Sequence, residues 1–143
     1  MTLAQTNAVS TRIKTIPALA SKTFELVAPR DSTGKLPTAP YVVVQPSDGT
    51  NTQGRWTGPR ATSHPHFVIH VVGSSYSNAQ TVYELVKDKF IDPTTKFGIP
   101  VVVAGEDCKN VAWDSPQPVQ VDNDVTPAVI YATGELTWDA EPV

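Results

Sequence analysis

The segment HFVIHVVGSSYSNAQTVYELVKDKFID, residues 66–92, constrains the fold of this chain more than any other stretch. Its first seven residues are mostly β-branched or aromatic and are followed by Gly73, which is typical of a strand. The residues after Gly73 place apolar side chains on one helical face: Ala79, Val82, Tyr83, Val86 and Phe90. Ser77 with Gln80 predicts a capping box at the start of this helix, and Pro93 predicts its end. A strand therefore leads directly into an amphipathic helix.

The rest of the chain predicts a second helix and several more strands. The helix is expected at residues 3–15, with Thr2 and Gln5 as a capping box, before Pro17 turns the chain. YVVVQ, residues 41–45, is apolar throughout and predicts a central strand covered on both faces. Further strands are predicted at 23–27, 99–105, 109–115, 118–122 and 128–140.

These elements predict an α+β fold in one domain spanning residues 1–143, which is an ordinary length for a single domain. Two main helices are expected to pack on one face of a mainly antiparallel or mixed β-sheet. A long extended loop or hairpin, residues 46–64, is expected to protrude from it. Turn-forming residues dominate residues 47–63, which favours a contact role. A plain solvated loop and a hairpin of two poorly patterned strands are the alternatives.

Composition limits the function classes. The chain has 14 acidic and 11 basic side chains and a net charge of -3, so it has no general attraction for phosphate backbones. Cys108 is its only cysteine, which excludes an internal disulfide and suits a reducing compartment. Neither a secretory signal nor an apolar run of roughly 20 residues is found, so no membrane association is expected.

The three histidines of the chain, His64, His66 and His70, share one parity on the predicted strand and suggest a metal site. His64 and His70 would lie about 20 Å apart on an extended strand, too far to share one ion. His64 and His66 remain as the pair for an alternative function, a metal-dependent hydrolase or metal-binding protein. Pro65 and the lack of a carboxylate nearby in the sequence argue against that site. No metal or other cofactor is predicted, and His66 and His70 are expected to face solvent or a neighbouring subunit.

No arrangement of catalytic residues is found in the sequence. Gly34-Lys35 lacks the remaining residues of a phosphate-binding loop, and the stretch VVGSSYS lacks the second glycine of a serine-hydrolase elbow. Cys108 has no histidine beside it and is expected to be an inert thiol. We therefore predict no catalytic residue and no enzymatic activity. Arg55, Trp56 and Arg60 instead have the composition that protein interfaces favour.

Three stretches, LPTAPYVVV, RWTGPR and HPHFVIHVVGSS, resemble the tail terminator (tail completion) proteins of long-tailed bacteriophages, those of actinobacteria in particular. The resemblance implies a small α+β subunit that forms a hexameric ring on the head-proximal end of the tail tube. The implied partners are further copies of the chain, the tail tube protein and a head-completion protein of the neck, and DNA would pass through the ring without sequence-specific binding.

The resemblance further implies a place in the virion, reached from the host cytoplasm during assembly. By analogy, the expected contacts with neighbouring subunits or the tube are Arg55, Trp56, Arg60, His66 and His70. The closest alternative is a head-completion (stopper or connector) protein, which occupies the adjoining ring of the neck.

Overall fold

A computed structural model describes residues 3–53, 61–124 and 128–143 of the chain. The helices are α1 (Leu3–Ile13) and α2 (Tyr76–Lys87), and a short 3₁₀ turn covers Pro17–Leu19. The strands are β1 (Thr23–Glu25), β2 (Tyr41–Gln53), β3 (Ala61–Gly73), β4 (Glu106–Asp114), β5 (Gln120–Asp122) and β6 (Val129–Pro142). The fold is thus α+β, as predicted.

All six strands form one mixed sheet in the order β1-β2-β3-β6-β4, with β5 also pairing with β6. Only the β1–β2 pair is parallel. Both helices pack on the same face of this sheet. Val9 and Ile13 of α1 and Val82 and Val86 of α2 share one core with the strand residues that point toward them, among them Val42, Val44, Phe67, Ile69, Val71, Leu136 and Trp138.

Two sequence predictions about β2 are resolved by the strand pairing. Tyr41, Val42, Val43 and Val44 are all buried, so this strand is covered on both faces as predicted. The prediction of a long loop at residues 47–63 is wrong for most of that stretch, because β2 continues to Gln53 and β3 begins at Ala61. The hairpin alternative is the one that the structure adopts.

The predicted capping residue of α2 is wrong by two positions. Ser75 is the N-cap, and its hydroxyl accepts a hydrogen bond from the Asn78 amide at 3.1 Å. The Asn78 side chain in turn accepts a hydrogen bond from the Ser74 amide at 3.0 Å. Gly73 is needed just before this cap, because a Cβ there would lie 2.3 Å from the Ala79 nitrogen. Strand and helix therefore touch at the turn that joins them.

The predicted strand at residues 99–105 is also wrong, although its side chains alternate. Val101 and Val103 are buried and Val102 is exposed, yet the segment belongs to none of the strands. Its backbone bonds to other groups: the Arg12 guanidinium donates to the carbonyls of Ile99 at 3.2 Å and Pro100 at 2.7 Å. The alternation thus reflects burial against the helices without strand pairing.

Smaller differences concern the ends of elements. Helix α1 ends at Ile13, two residues before the predicted end, and the predicted Thr2 cap lies outside the described residues. Strand β1 ends at Glu25, because Leu26 adopts a φ of 67° that breaks the extended conformation. No helix among the described residues is long and apolar enough to cross a membrane.

Candidate interaction surface

The three histidines lie on the open face of the sheet, opposite the helices. Phe67, Ile69 and Val71 of β3 are fully buried in the core, so the intervening residues of the strand point the other way. Each histidine interacts there with a residue of β6. His64 Nδ1 lies 2.7 Å from Asp139 Oδ1, His66 Nε2 lies 3.6 Å from Glu135 Oε2, and His70 Nδ1 lies 3.1 Å from Thr133 Oγ1.

His70 differs from the other two in that both ring nitrogens have neutral partners. Gln45 Oε1 can only accept, so His70 Nε2 donates to it at 3.2 Å and Nδ1 accepts from the Thr133 hydroxyl. Burial lowers the pKa of His70 and keeps the ring neutral at neutral pH. Tyr131 packs edge-on against the ring with centroids 5.6 Å apart. His70 is therefore held within the sheet face on three sides.

Although no carboxylate lies near His64 and His66 in the sequence, two lie near them in the fold. Asp139 and Glu135 are distant in sequence, but the antiparallel pairing of β3 with β6 brings them beside these histidines. Among residues 3–53, 61–124 and 128–143, however, no group of three His, Cys, Asp or Glu side chains is arranged to hold a metal ion. The arrangement observed is a set of cross-strand polar pairs.

Five carboxylates make the open side of β4 and β6 strongly acidic, and we call these residues the acidic face: Asp107, Asp114, Glu135, Asp139 and Glu141. The register pairs Asp107 with Glu141, Lys109 with Asp139, and Asp114 with Glu135, so these side chains share one side of the sheet. Lys109 lies 3.1 Å from Glu141 and 3.6 Å from Asp107. Within the described parts of β3, β4 and β6, it is the only lysine or arginine.

Asp139 is the most extensively bonded member of the acidic face. Asn110 Nδ2 donates to its Oδ2 at 2.8 Å, while Oδ1 faces His64. These two hydrogen bonds, with that of Asn110 the larger cause, lower the pKa of Asp139. Asn110 reaches the carboxylate from a bulge in β4, where its φ is 56°. The charged form of Asp139 is thus favoured by the fold.

A second apolar cluster covers the opposite end of the open face. Tyr41, Val43 and Val72 are buried there, and Ala28 and Ala39 from the connection between β1 and β2 pack against them. No described residue covers the acidic face in this way, and its side chains are partly or largely exposed. Among the described residues, the acidic side of the sheet is therefore less covered than the end that carries Tyr41, Val43 and Val72.

The predicted interface residues have different outcomes. His66 and His70 lie on the open face, which is the placement expected from their parity. Arg55, Trp56 and Arg60 lie outside the described residues. The strands that flank them pair as far as Gln53 and Ala61, so the seven residues 54–60, which we call the linking segment, connect the ends of a long hairpin.

Sequence reasoning missed Asp139, Glu135 and Asn110 as neighbours of the histidines. The alternation of β6 correctly places Thr133, Glu135 and Thr137 on the side opposite the core residues Ala132, Leu136 and Trp138, although Thr133 is also buried. It carries no information on which strand lies alongside. That pairing depends on the order of strands in the sheet.

Within the described residues, the features that could take part in catalysis are Cys108 and a groove beside α1. Cys108 is a buried free thiol, and burial followed by the nearby Glu106 charge raises its pKa, which disfavours the reactive thiolate. A groove of about 520 Å³ along the exposed side of α1 is lined mainly by small or apolar side chains, with Arg12 as its only ionisable group. This groove therefore holds no acid–base pair.

Comparison with solved structures finds this fold in a chain of the virion of a native gene transfer agent particle. The two chains are 16% identical, the TM-score is 0.59, and the match covers 95% of this chain and 92% of the other. No family model and no curated protein matches the sequence. At this identity the comparison shows that the two chains share a fold over nearly their whole length.

Proposed function

We propose that this chain is a structural virion protein of a phage-like particle, and that it caps the head-proximal end of the tail tube as a ring of six copies. One observation carries the first part: its fold agrees, over 95% of its length, with a chain taken from a virion. The stretches LPTAPYVVV, RWTGPR and HPHFVIHVVGSS, which resemble tail terminators, support the second part.

Capping of the tube depends only on which surfaces the ring covers and which it presents. A tube stops growing when a ring covers the surface that the next tube subunit would occupy and presents a different surface outward. The outward surface then receives the head-completion protein. A closed ring of identical chains uses two different patches on each copy, one on each side. No cofactor and no covalent step takes part, and the protein acts in the virion after assembly in the host cytoplasm.

The acidic face is consistent with a ring that DNA crosses. Carboxylates repel the phosphate backbone, so an acidic wall lets DNA pass without being held. Five carboxylates and one lysine on the open side of β4 and β6 supply such a surface. We expect no sequence-specific contact between this chain and DNA.

A tube-capping assay tests the proposal. The tail tube protein encoded with this chain is polymerised with and without it, and the products are imaged by electron microscopy. We expect shorter tubes, each with a ring of six at one end only. Binding to DNA-filled heads with no effect on tubes would contradict tube capping and support a head-completion protein instead. Binding to neither would overturn the virion role.

A further inference from the structure

We propose that His70 is a pH-sensitive joint on the open face of the sheet, which joins β3 to β2 and β6 while its ring is neutral and weakens the sheet when the ring gains a proton. Among the described residues, no carboxylate lies against this ring, whereas His64 and His66 each approach one. Mildly acidic pH is therefore expected to weaken the sheet at this point. The joint is a property of the single chain and does not depend on tube capping.

The hydrogen bonds of His70 fix which ring nitrogen carries the proton. Gln45 Oε1, which can only accept, lies 3.2 Å from His70 Nε2. Gln45 Nε2 donates to the Leu26 carbonyl at 3.0 Å, and this bond orients the amide. The neutral ring therefore has its proton on Nε2, and Nδ1 accepts from the Thr133 hydroxyl at 3.1 Å. A line of three hydrogen bonds thus runs from β6 through β3 and β2 to the residue that follows β1.

Protonation of the ring disturbs the Thr133 end of this line. An imidazolium donates from both nitrogens, so Nδ1 would direct a hydrogen at the Thr133 oxygen, whose own hydrogen must turn away. Thr133 is only 6% exposed, and among the described residues its hydroxyl has no hydrogen-bond partner other than His70. The hydroxyl hydrogen is then left without an acceptor. A buried donor in that state carries its full cost of desolvation.

The groups packed around the ring supply no negative charge that would compensate. From β2 the ring meets the amide of Gln45, and from β6 it meets the hydroxyl of Thr133, both of which are uncharged. Tyr131 of β6 packs edge-on with ring centroids 5.6 Å apart, and it presents an uncharged phenol ring. The next carboxylate along β6, that of Glu135, is approached by His66 at 3.6 Å. The charged ring would therefore be stabilised by none of its neighbours.

The direction of the pH effect follows from burial. Burial lowers the pKa of His70 below the ordinary histidine value of about 6.5, because a charged ring is less favourable away from water. The unfolded chain therefore takes up this proton at a higher pH than the folded chain does. Between the two values the unfolded state binds more protons, so stability is lost as the pH falls below about 6.5. The loss ends once the folded ring is protonated too.

Gln45→Glu tests the joint, because it puts a carboxylate where the amide oxygen lies and keeps the shape of the side chain. An imidazolium donates a charge-assisted hydrogen bond to a carboxylate, so the substitution reverses the preference of the site for a neutral ring. Gln117→Glu is the matched control, since it makes the same change of charge at an exposed position outside the strands. His70→Phe removes the titrating group and keeps a ring in its place.

Two measurements are made on the full chain of each protein. Nitrogen and carbon NMR of the histidine rings follows the titration of His70 and identifies its tautomer. Urea midpoints are compared over the same pH series, kept above about pH 5 so that the histidine range is separated from that of the carboxyl groups. Because Gln45→Glu also removes the donor to Leu26, the comparison is of the change with pH rather than of the midpoint at one pH. His64 and His66 are present in all four proteins, so differences between them report on His70.

In the wild type we expect His70 to titrate below about 6.5, with the proton of the neutral ring on Nε2, and the urea midpoint to fall as the pH is lowered from about 6.5 to 5. In Gln45→Glu the ring should titrate roughly one pH unit or more above the wild type, and the fall should be reduced or reversed. Gln117→Glu should behave as the wild type does. The fall should be smaller in His70→Phe than in the wild type.

Three results would each overturn the proposal. The first is a wild-type His70 ring that titrates at or above about 6.5 or carries its neutral proton on Nδ1. The second is an unchanged titration of His70 in Gln45→Glu. The third is an equal loss of stability with falling pH in the wild type and in His70→Phe. If His70→Phe does not fold, the ring titrations of the wild type and Gln45→Glu decide the matter without it.

Discussion

Gly134 illustrates how a single residue sets the packing between the sheet and α2. A Cβ at this position would lie 2.1 Å from Trp113 Cζ2, so the indole covers the bare backbone of β6. Trp113 also stacks on Phe90 with centroids 5.9 Å apart and donates a hydrogen bond to the Tyr83 hydroxyl at 2.7 Å. The absent side chain is therefore what allows β4 and α2 to meet.

Gly134→Ala should destabilise the protein by about 1–3 kcal/mol, the usual cost of overpacking a core. Urea unfolding measures the change. The loss should shrink in a Trp113→Leu background, because the clash is with the indole. Thr137→Ala, at an exposed position of the same strand, is the control and should have little effect. Equal losses from Gly134→Ala in both backgrounds would contradict this account.

Arg12 is the second decisive residue, because it replaces a strand partner for residues 99–100. Arg12→Ala leaves the carbonyls of Ile99 and Pro100 without their donor and removes a guanidinium that lies 5.6 Å from the Phe90 ring. We expect a loss of about 1–3 kcal/mol in urea unfolding and faster amide exchange near residue 101. Arg12→Lys should keep only part of the stability that Arg12→Ala loses, because an ammonium lacks the planar fork of the guanidinium. Wild-type stability of Arg12→Lys would contradict this account, because it would show that a positive charge alone holds residues 99–100.

Asp139 gives a prediction for pH. Its pKa is lowered in the fold, so it stabilises the protein above the unfolded pKa of about 3.9, and that contribution is lost as the pH falls through the lower folded value. Wild-type stability should therefore decline more steeply below about pH 4 than that of Asp139→Asn. Urea midpoints over a pH series measure the difference. An equal loss of stability in the wild type and Asp139→Asn as the pH falls would contradict the role of the Asn110 and His64 hydrogen bonds.

At the scale of elements, the β3–α2 unit is held together by local sequence. The strand ends at Gly73, where the Ala79 backbone approaches, and the helix begins at a serine that caps it. Ser75 and Ser77 are equally good capping residues by type. Only the position at which the chain leaves the strand determines which of them has the extended conformation of an N-cap.

Ser75→Ala should cost about 1 kcal/mol, whereas Ser77→Ala should cost a few tenths at most. The first change removes the acceptor for the Asn78 amide; the second removes a side chain that follows the first helical residue. Thermal or urea unfolding of both variants gives the comparison. A larger loss from Ser77→Ala would instead identify Ser77 as the N-cap, as the Ser77–Gln80 pair predicts.

At the scale of the whole molecule, the sheet divides the chain into a structural side and an exposed side. The helices and residues 99–103 cover one face, while the acidic face is left open next to the hairpin. Among the residues whose side chains the structure describes, every core residue lies outside residues 47–63. The core thus lies on the helix side of the sheet, and we expect contacts with partners on the exposed side and the hairpin.

This division predicts the effect of shortening the hairpin. Replacing residues 54–60 by Asn-Gly, a two-residue turn suited to antiparallel strands, should leave the urea midpoint near that of the wild type. The same change should abolish ring formation on tubes, because it removes Arg55, Trp56 and Arg60. As a control, a variant keeping the length of the segment but replacing these three residues by serine should also fail. A shortened protein that still caps tubes would contradict the assignment.

The amino-acid sequence by itself determined the elements that depend on neighbouring residues: both helices, the buried strand 41–45, the β3–α2 unit and the alternation of β6. Such features follow from periodicity and local capping. Only the tertiary structure decided which strands pair, and hence that Asp139 and Glu135 face His64 and His66. It also decided that Ile99 and Pro100 bond to Arg12 and that residues 99–105 form no strand, because hydrogen-bond partners far apart along the chain are chosen by packing and leave no local pattern.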